Sequence, residues 1–447
     1  LIVQTESKGK SRKTLAYLTS SAHRFLSNNL KTLAGLWLSS VLVSGLNFVV
    51  TLLIVTYSNV NVYSAYAIGL AVLALAASWT DSGVAGTINV LAAQSGSQKE
   101  ILQIYKGIGL RYSWRIGIPA YLLLLILLGI SMFYSSILRS SIDFVPIALF
   151  AAAGFVQSRT SLYNSLLHAC GDFKSYNVSQ AVPAIFRLAI LSGFIVLYGN
   201  LDLTALLLLS IVPGLFGYGL VRYNFQRTIR QMPSSPLVEN EKEMENKVRQ
   251  FLKPSLCASI TSSVSYNFTL LGSSLFTAGT PIATYGVFSR LAQISAMFTN
   301  PLNLFASRKL RLIGSTTERK KKAQLFVFCG ILGFAIYGIV ALGIYSLLSK
   351  YIQHYSLGYH LAFAVFLLTH ALGTSFVMLD AALVSRAQAN HRIIGTLIWC
   401  ILSILLVFVL RPTDLLTMVS IDALSILPAT LYYGYVFTKT SALEEHS

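Results

Sequence analysis

The sequence predicts an all-α polytopic membrane protein: twelve transmembrane helices in two six-helix bundles, with both termini on the cytoplasmic side. Three observations carry that prediction. Of the 447 residues, 54% are hydrophobic and only 11% charged, against about 25% charged in a soluble domain. The chain therefore lacks the polar groups to cover soluble domains. Residues 32–80 hold no Asp, Glu, Lys or Arg, a run of 49, and a helix needs about 20 apolar residues to cross the hydrocarbon core. The basic residues, finally, gather on alternate loops, as the positive-inside rule requires.

The spans follow from where polar residues interrupt the apolar runs. The run 32–80 breaks at Ser58-Asn59-Val60-Asn61, which gives spans at 32–57 and 63–94. Next come 113–137, with Arg111 and Arg115 at its inner edge, then 144–169, 176–198 and 201–222. The stretch 222–253 is polar, and its Glu239, Glu241, Glu243 and Glu245 interleave with Lys242 and Lys247 in a pattern that suits a short charged helix. Six more spans follow at 250–276, 281–307, 323–349, 357–384, 393–410 and 413–437. The chain thus divides into a basic segment 1–31, a bundle 32–224, a charged linker 225–249, a second bundle 250–437 and a tail 438–447. Six spans per half is even, so any internal repeat is parallel, related by an axis along the membrane normal.

With the N-terminus inside, 28 of the 34 Lys and Arg residues fall in cytoplasmic segments, three (Arg139, Lys350, Arg411) fall outside, and three lie within spans. A single missed span would swap the sides of everything after it. The net charge of +18 is thereby an orientation signal, and it needs no nucleic-acid partner. The run Arg319-Lys320-Lys321-Lys322 also suits anionic lipid headgroups. Cys170, Cys257, Cys329 and Cys400 are scattered, which argues against a disulfide framework, a zinc site or a redox site. The N-terminal TESKGKSRK has no apolar stretch beside it, so no cleavable signal peptide is expected. There is no GxxxxGK[ST] phosphate loop and no HExxH, and the sequence calls for no cofactor or metal.

A trace of a repeat is present. Asn47-Phe48 is followed 19 residues on by Tyr66, and Asn267-Phe268 is followed 18 residues on by Tyr285. The same segments carry a family resemblance. VYSAYAIGLAVLALAASWTDSGVAGTI, with its turn Asp81-Ser82-Gly83, resembles the second span of polysaccharide flippases. NFTLLGSSLFTAGTPIATYGVFSRLAQI and LVSRAQANHRIIG are similar to their span 7–8 and span 10–11 regions. The resemblance is to the Wzx-type O-antigen flippases of the multidrug/oligosaccharidyl-lipid/polysaccharide (MOP) exporter superfamily, related to MATE exporters. It implies two bundles around a central cavity in the bacterial inner membrane, alternating between inward and outward openings. The implied substrate is an oligosaccharide on undecaprenyl diphosphate, and the implied partners are the polysaccharide polymerase and chain-length machinery. Many members have Asp where this chain has Asn267, a change that removes a proton site.

The candidate site residues are the few ionisable groups inside spans. Arg159, Arg187 and Arg290 lie in spans 4, 5 and 8. Three lipid-exposed arginines would cost on the order of 8–10 kcal/mol, so they are expected to face protein or a water-filled cavity, where guanidinium forks match a lipid diphosphate. The competing reading pairs each with a buried carboxylate: Asp81, Asp380 or Asp422. Asp81 also suits a helix cap, a kink or a coupling-ion site. His370 titrates near neutrality when solvated but equally suits packing, and Asp422 can carry a proton or hold an arginine. Aromatic clusters such as Tyr351/Tyr355/Tyr359 suit interfacial anchors, while aromatics that face a cavity can stack on sugars. Two other functions compete. A MATE-type multidrug antiporter for cations would line its cavity with acids. An integral-membrane polymerase or glycosyltransferase would need a large outer loop, whereas the outer loops here hold only Asp143, Asp202 and Asp414 as acids.

Overall fold

A computed structural model describes residues 34–35, 37–94, 98–233, 240–293, 316–351, 360–385 and 389–443. The predicted N-terminal segment, residues 294–307 of span 8 and Arg386 lie outside these. Every element in the described residues is a helix or a connecting turn, with no strand among them. Eight described helices are long and apolar enough to cross a membrane, and the fold is that of a multi-pass membrane protein.

α1 (Trp37–Tyr57) ends at the polar break the sequence marks, where the Asn59 side chain accepts from the Val62 amide at 2.8 Å and starts α2 (Val60–Asp81). The second predicted span is not continuous. Ser82 and Gly83 adopt φ of 49° and 76°, left-handed values that end a helix and that a side chain resists. α3 (Val84–Gln94) then restarts. A Cβ on Gly83 would meet the Ser255 carbonyl oxygen at 2.9 Å, so the backbone of the helix that carries Ser255 passes close to the break.

α4 (Lys99–Tyr134) begins well before the predicted span, and its N-terminal extension carries Arg111. A single short turn, α5 (Ser136–Ser141), leads to α6 (Phe144–Cys170), which Gly171 closes at φ 76°. On Gly154 of α6 a Cβ would meet the Leu73 carbonyl oxygen at 2.4 Å, and this close approach seats α6 against α2. α7 (Phe173–Tyr198) and α8 (Leu203–Gln231) are capped by the carboxylates of Asp172 and Asp202, which accept from Ser175 and Ala205 amides at 3.0 and 2.7 Å.

The charged linker is largely absorbed into helices. α8 runs to Gln231, and α9 (Glu241–Ser273) starts with the Glu/Lys pattern itself. α10 (Thr280–Gln293), α11 (Thr316–Tyr351), α12 (His360–Ser385), α13 (Ala389–Leu410) and α14 (Leu415–Leu443) complete the chain.

Packing separates two groups. α2, α3, α4, α6, α7 and α8 pack mainly on one another, as do α9 through α14, with α2 joining the groups through α9 and α10. The first turns of α9 cross that division. Met244, Val248 and Leu252 are buried in a cluster with Val84, Ile88, Tyr105, Leu166 and Phe225 of the N-terminal group. Arg111 pairs with Glu241 at 2.6 Å just outside the same cluster. At the opposite end of the helices Ser135 donates to the Leu275 carbonyl at 3.1 Å. The two groups therefore touch at both ends and along α2, where a Cβ on Gly286 of α10 would meet Ala67 at 2.8 Å, and a space remains beside that seam.

Candidate functional site: a cavity between the two helix groups

The space left between the groups is a cavity of about 760 Å³, within the usual range for small-molecule sites. Its walls are stripes of residues at helical spacing. Gln180, Pro183, Ala184 and Arg187 share one face of α7, and Phe366, Thr369, His370 and Gly373 share one face of α12. Tyr63, Ala67, Leu70, Ala71 and Ala74 form the α2 wall, and Tyr285, Gly286, Ser289 and Arg290 the α10 wall.

Five of the eight sequence-predicted residues line this one cavity: Arg187, Arg290, Asn267, His370 and Asp422. Arg187 donates through Nη2 to the hydroxyl of Tyr66, its Nε makes no hydrogen bond, and no described carboxylate lies within ion-pair distance. Arg290 lies within electrostatic reach of Arg187 and of the hydroxyls of Tyr63 and Tyr66. Two guanidinium groups thus converge from different halves. Like charges brought together at low dielectric repel strongly, and an anion between them relieves that repulsion.

The other three behave differently. Asp422 receives hydrogen bonds from the hydroxyls of Thr269 and Tyr285, one on each carboxylate oxygen. Asn267 turns its amide nitrogen to the Ser263 carbonyl at 2.8 Å, and the His370 ring stacks on Phe366 with centroids 4.9 Å apart.

Arg159 and Asp81 are not among the residues lining the cavity, which corrects the expectation that all three arginines share it. Arg159 is buried within the N-terminal group at 4% exposure. Its Nη1 donates to the Ser113 hydroxyl and, at 3.2 Å, to Ser158 Oγ, while Nη2 donates to the Ser113 carbonyl at 2.9 Å. The guanidinium lies 4.3 Å from the Phe155 ring centroid and 4.8 Å from that of Trp114. Asp81 sits within electrostatic reach of it and accepts from the Ala85 amide at 3.1 Å, capping α3. Asp81 thus caps α3 near Arg159, with no ion pair between the two among the described residues. Asp380 lies on α12, with its side chain outside the described residues.

Charge-based reading passes over the neutral part of the site. Gln157, Gln180, Tyr266 and Trp399 all line the cavity. The usable signal was an uncharged amide in an otherwise apolar span, which costs nearly as much to leave unmatched as some charges do.

No protein-family model and no curated protein matches the sequence. The fold does match solved structures. A mutant of the Vibrio cholerae MATE transporter VcmN aligns with TM-score 0.65 and 13% identity over 94% of this chain and 98% of that one. The outward-facing conformation of a multidrug resistance MATE family transporter of the MOP superfamily aligns at 0.61 and 12%, over 93% and 97%. A MOP superfamily transporter from Pyrococcus furiosus, described by a reverse polarity of its binding pocket that suggests a different function, aligns at 0.59 and 11%, over 91% and 96%. The chain has the fold of MOP-superfamily transporters.

Proposed function

We propose that the protein is a flippase that moves an undecaprenyl-diphosphate-linked oligosaccharide from the cytoplasmic to the outer leaflet of the bacterial inner membrane. The two helix groups rock about the cavity to give alternating access. The observation that carries this reading is the convergence of Arg187 and Arg290, one from each group, on one cavity. A ligand held by both groups can be handed from one opening to the other. A diphosphate offers bidentate oxygens to both guanidinium forks, and each contact is worth up to about 4 kcal/mol before desolvation. Arginine stays charged in such a site, so the cavity keeps its sign while it opens and closes. The basic segments would lie on the cytoplasmic face with both termini, against anionic lipid, and polymerase and chain-length machinery would take the product.

The test is a strain depleted of the protein. Diphosphate-linked oligosaccharide should accumulate on the cytoplasmic leaflet while surface polysaccharide disappears, and Arg187→Ala with Arg290→Ala should fail to restore it. Unchanged surface polysaccharide in the depleted strain would overturn the reading.

A second reading, a MATE-type multidrug antiporter, draws on the fold likeness and on Asp422, a carboxylate in the cavity wall. Energy-dependent export of cationic dyes, lost in Asp422→Asn, would favour it over the flippase.

A further inference from the structure

We propose that the glycan carried on the diphosphate is electrically neutral, and that Gln157, Gln180 and Tyr266 are the residues that read it. This rests on the flippase reading and deepens it. The first argument is charge. Among the described residues that line the cavity, Arg187 and Arg290 are the arginines and lysines, and Asp422 is the carboxylate. A diphosphate of about two negative charges is already matched by two guanidinium groups. An acidic sugar would meet no further described arginine or lysine there and would lie in the field of Asp422.

The second argument is what the remaining wall offers. Gln180 lies seven residues before Arg187 on the same stripe of α7, about 10 Å along the axis. Neither Gln180 nor Gln157 of α6 hydrogen-bonds to another described residue, and Gln157 is exposed to the cavity. Each amide presents donors and an acceptor together, the pattern a sugar hydroxyl answers. An amide facing an open cavity keeps these groups available, and a sugar hydroxyl can take them at little desolvation cost. On the facing wall Tyr266 of α9 is 48% exposed. Its ring meets that of Trp399 at a steep angle with centroids 4.4 Å apart, and both rings line the cavity. A ring packed in this way offers an apolar face to a sugar at little ordering cost.

The full-length protein in lipid nanodiscs should be titrated with three probes: farnesyl diphosphate, the same lipid diphosphate bearing a neutral N-acetylhexosamine disaccharide, and one bearing a disaccharide with a hexuronic acid. The neutral disaccharide should tighten binding about tenfold over farnesyl diphosphate, and the hexuronic disaccharide should not. Gln157→Leu with Gln180→Leu, which conserves volume, and separately Tyr266→Ala, should each erase most of the gain while leaving farnesyl diphosphate binding unchanged. The proposal is overturned if the acidic disaccharide binds as tightly as the neutral one, or if the gain survives both variants. If farnesyl diphosphate binds equally to wild type and Arg187→Ala, the diphosphate reading fails instead. The neutral-against-acidic comparison, run with the free disaccharides, then still decides the subsite.

Discussion

Tyr66 and Tyr285 each follow an Asn-Phe pair by nearly the same interval, yet they hold opposite charges. The Tyr66 hydroxyl accepts a hydrogen bond from Arg187. The Tyr285 hydroxyl donates one to Asp422. A phenol can serve as either donor or acceptor, so one residue type supports a cation in the first half and an anion in the second. What sets the sign is the side chain that reaches it, Arg187 of α7 in one case and Asp422 of α14 in the other. The two sites also differ in how far they are satisfied. Asp422 has a second hydroxyl, that of Thr269, whereas Arg187 keeps an unpartnered Nε and its charge is uncompensated by any described carboxylate. Arg187 therefore presents an unmet charge to the cavity and Asp422 a sheltered one.

Arg159 calibrates this contrast. Its Nε also lacks a hydrogen bond, but both terminal nitrogens are held by Ser113 and Ser158 and its guanidinium lies against Trp114 and Phe155. Arg187 has the Tyr66 hydroxyl among the described residues. Removing one partner of a buried charged cluster costs about 3–5 kcal/mol. Arg159→Ala should lower thermal stability in detergent by that order, since it strands Ser113 and Asp81 and empties the space between Trp114 and Phe155. Arg187→Ala should melt close to wild type. If the two variants melt alike, the division between held and open arginines breaks.

The binding effect should run the other way. A hydrogen bond to a charged group is worth about 1.5–3 kcal/mol, so Arg187→Ala should weaken farnesyl diphosphate binding by about tenfold to a hundredfold. Arg159→Ala, where it folds, should leave binding unchanged. Equal loss in both would return Arg159 to the site. Asp422→Asn should do the opposite to a smaller degree. It removes a negative charge from the cavity wall while keeping an acceptor for Thr269 or Tyr285, so the same probe should bind about threefold more tightly. Weaker binding in Asp422→Asn would show that the carboxylate supports the ligand rather than opposing it.

How much of this was legible follows from the same physics. The order of the spans could be read because crossing hydrocarbon demands a minimum apolar run. Among the described residues a helix stands in each expected span with shifted ends, eight of them long and apolar enough to cross, and the second half of span 8 lies outside the described residues. The break at Ser82-Gly83 was legible as a turn in Asp81-Ser82-Gly83, but the apolar run continues through it, so hydropathy alone drew one span. Depth could be read for Arg159 and Arg187, and facing could not. A helix apolar all round gives no stripe to show which side meets protein and which meets lipid, and only packing put one arginine inside the N-terminal group and the other on the cavity. The neutral residues Gln157 and Gln180 were hidden for a different reason: a search for charges passes over amides.

The smallest expected effect tests whether hydroxyl-held carboxylates matter only where they face the cavity. Asp172, at the loop between α6 and α7, is held much as Asp422 is: Thr228 Oγ1 donates to its Oδ2 at 2.6 Å and the Ser175 amide to its Oδ1 at 3.0 Å. Burial acts to raise this carboxyl, but the Thr228 and Ser175 hydrogen bonds and nearby Lys174 outweigh it and leave it below the usual carboxylate range. A depressed folded-state value means that the ionised group stabilises the fold above its unfolded value, and that this stabilisation is lost as the pH falls through the folded one. Asp172→Ala should cost about 1 kcal/mol, as loss of a helix cap does, with the difference from wild type shrinking as the pH is lowered. Probe binding should not change, because Asp172 does not line the cavity. A thermal melt series across acidic pH, run beside the same series for Asp422→Asn, separates the two roles. A pH-independent difference for Asp172→Ala would mean that the cap acts through packing rather than through its charge.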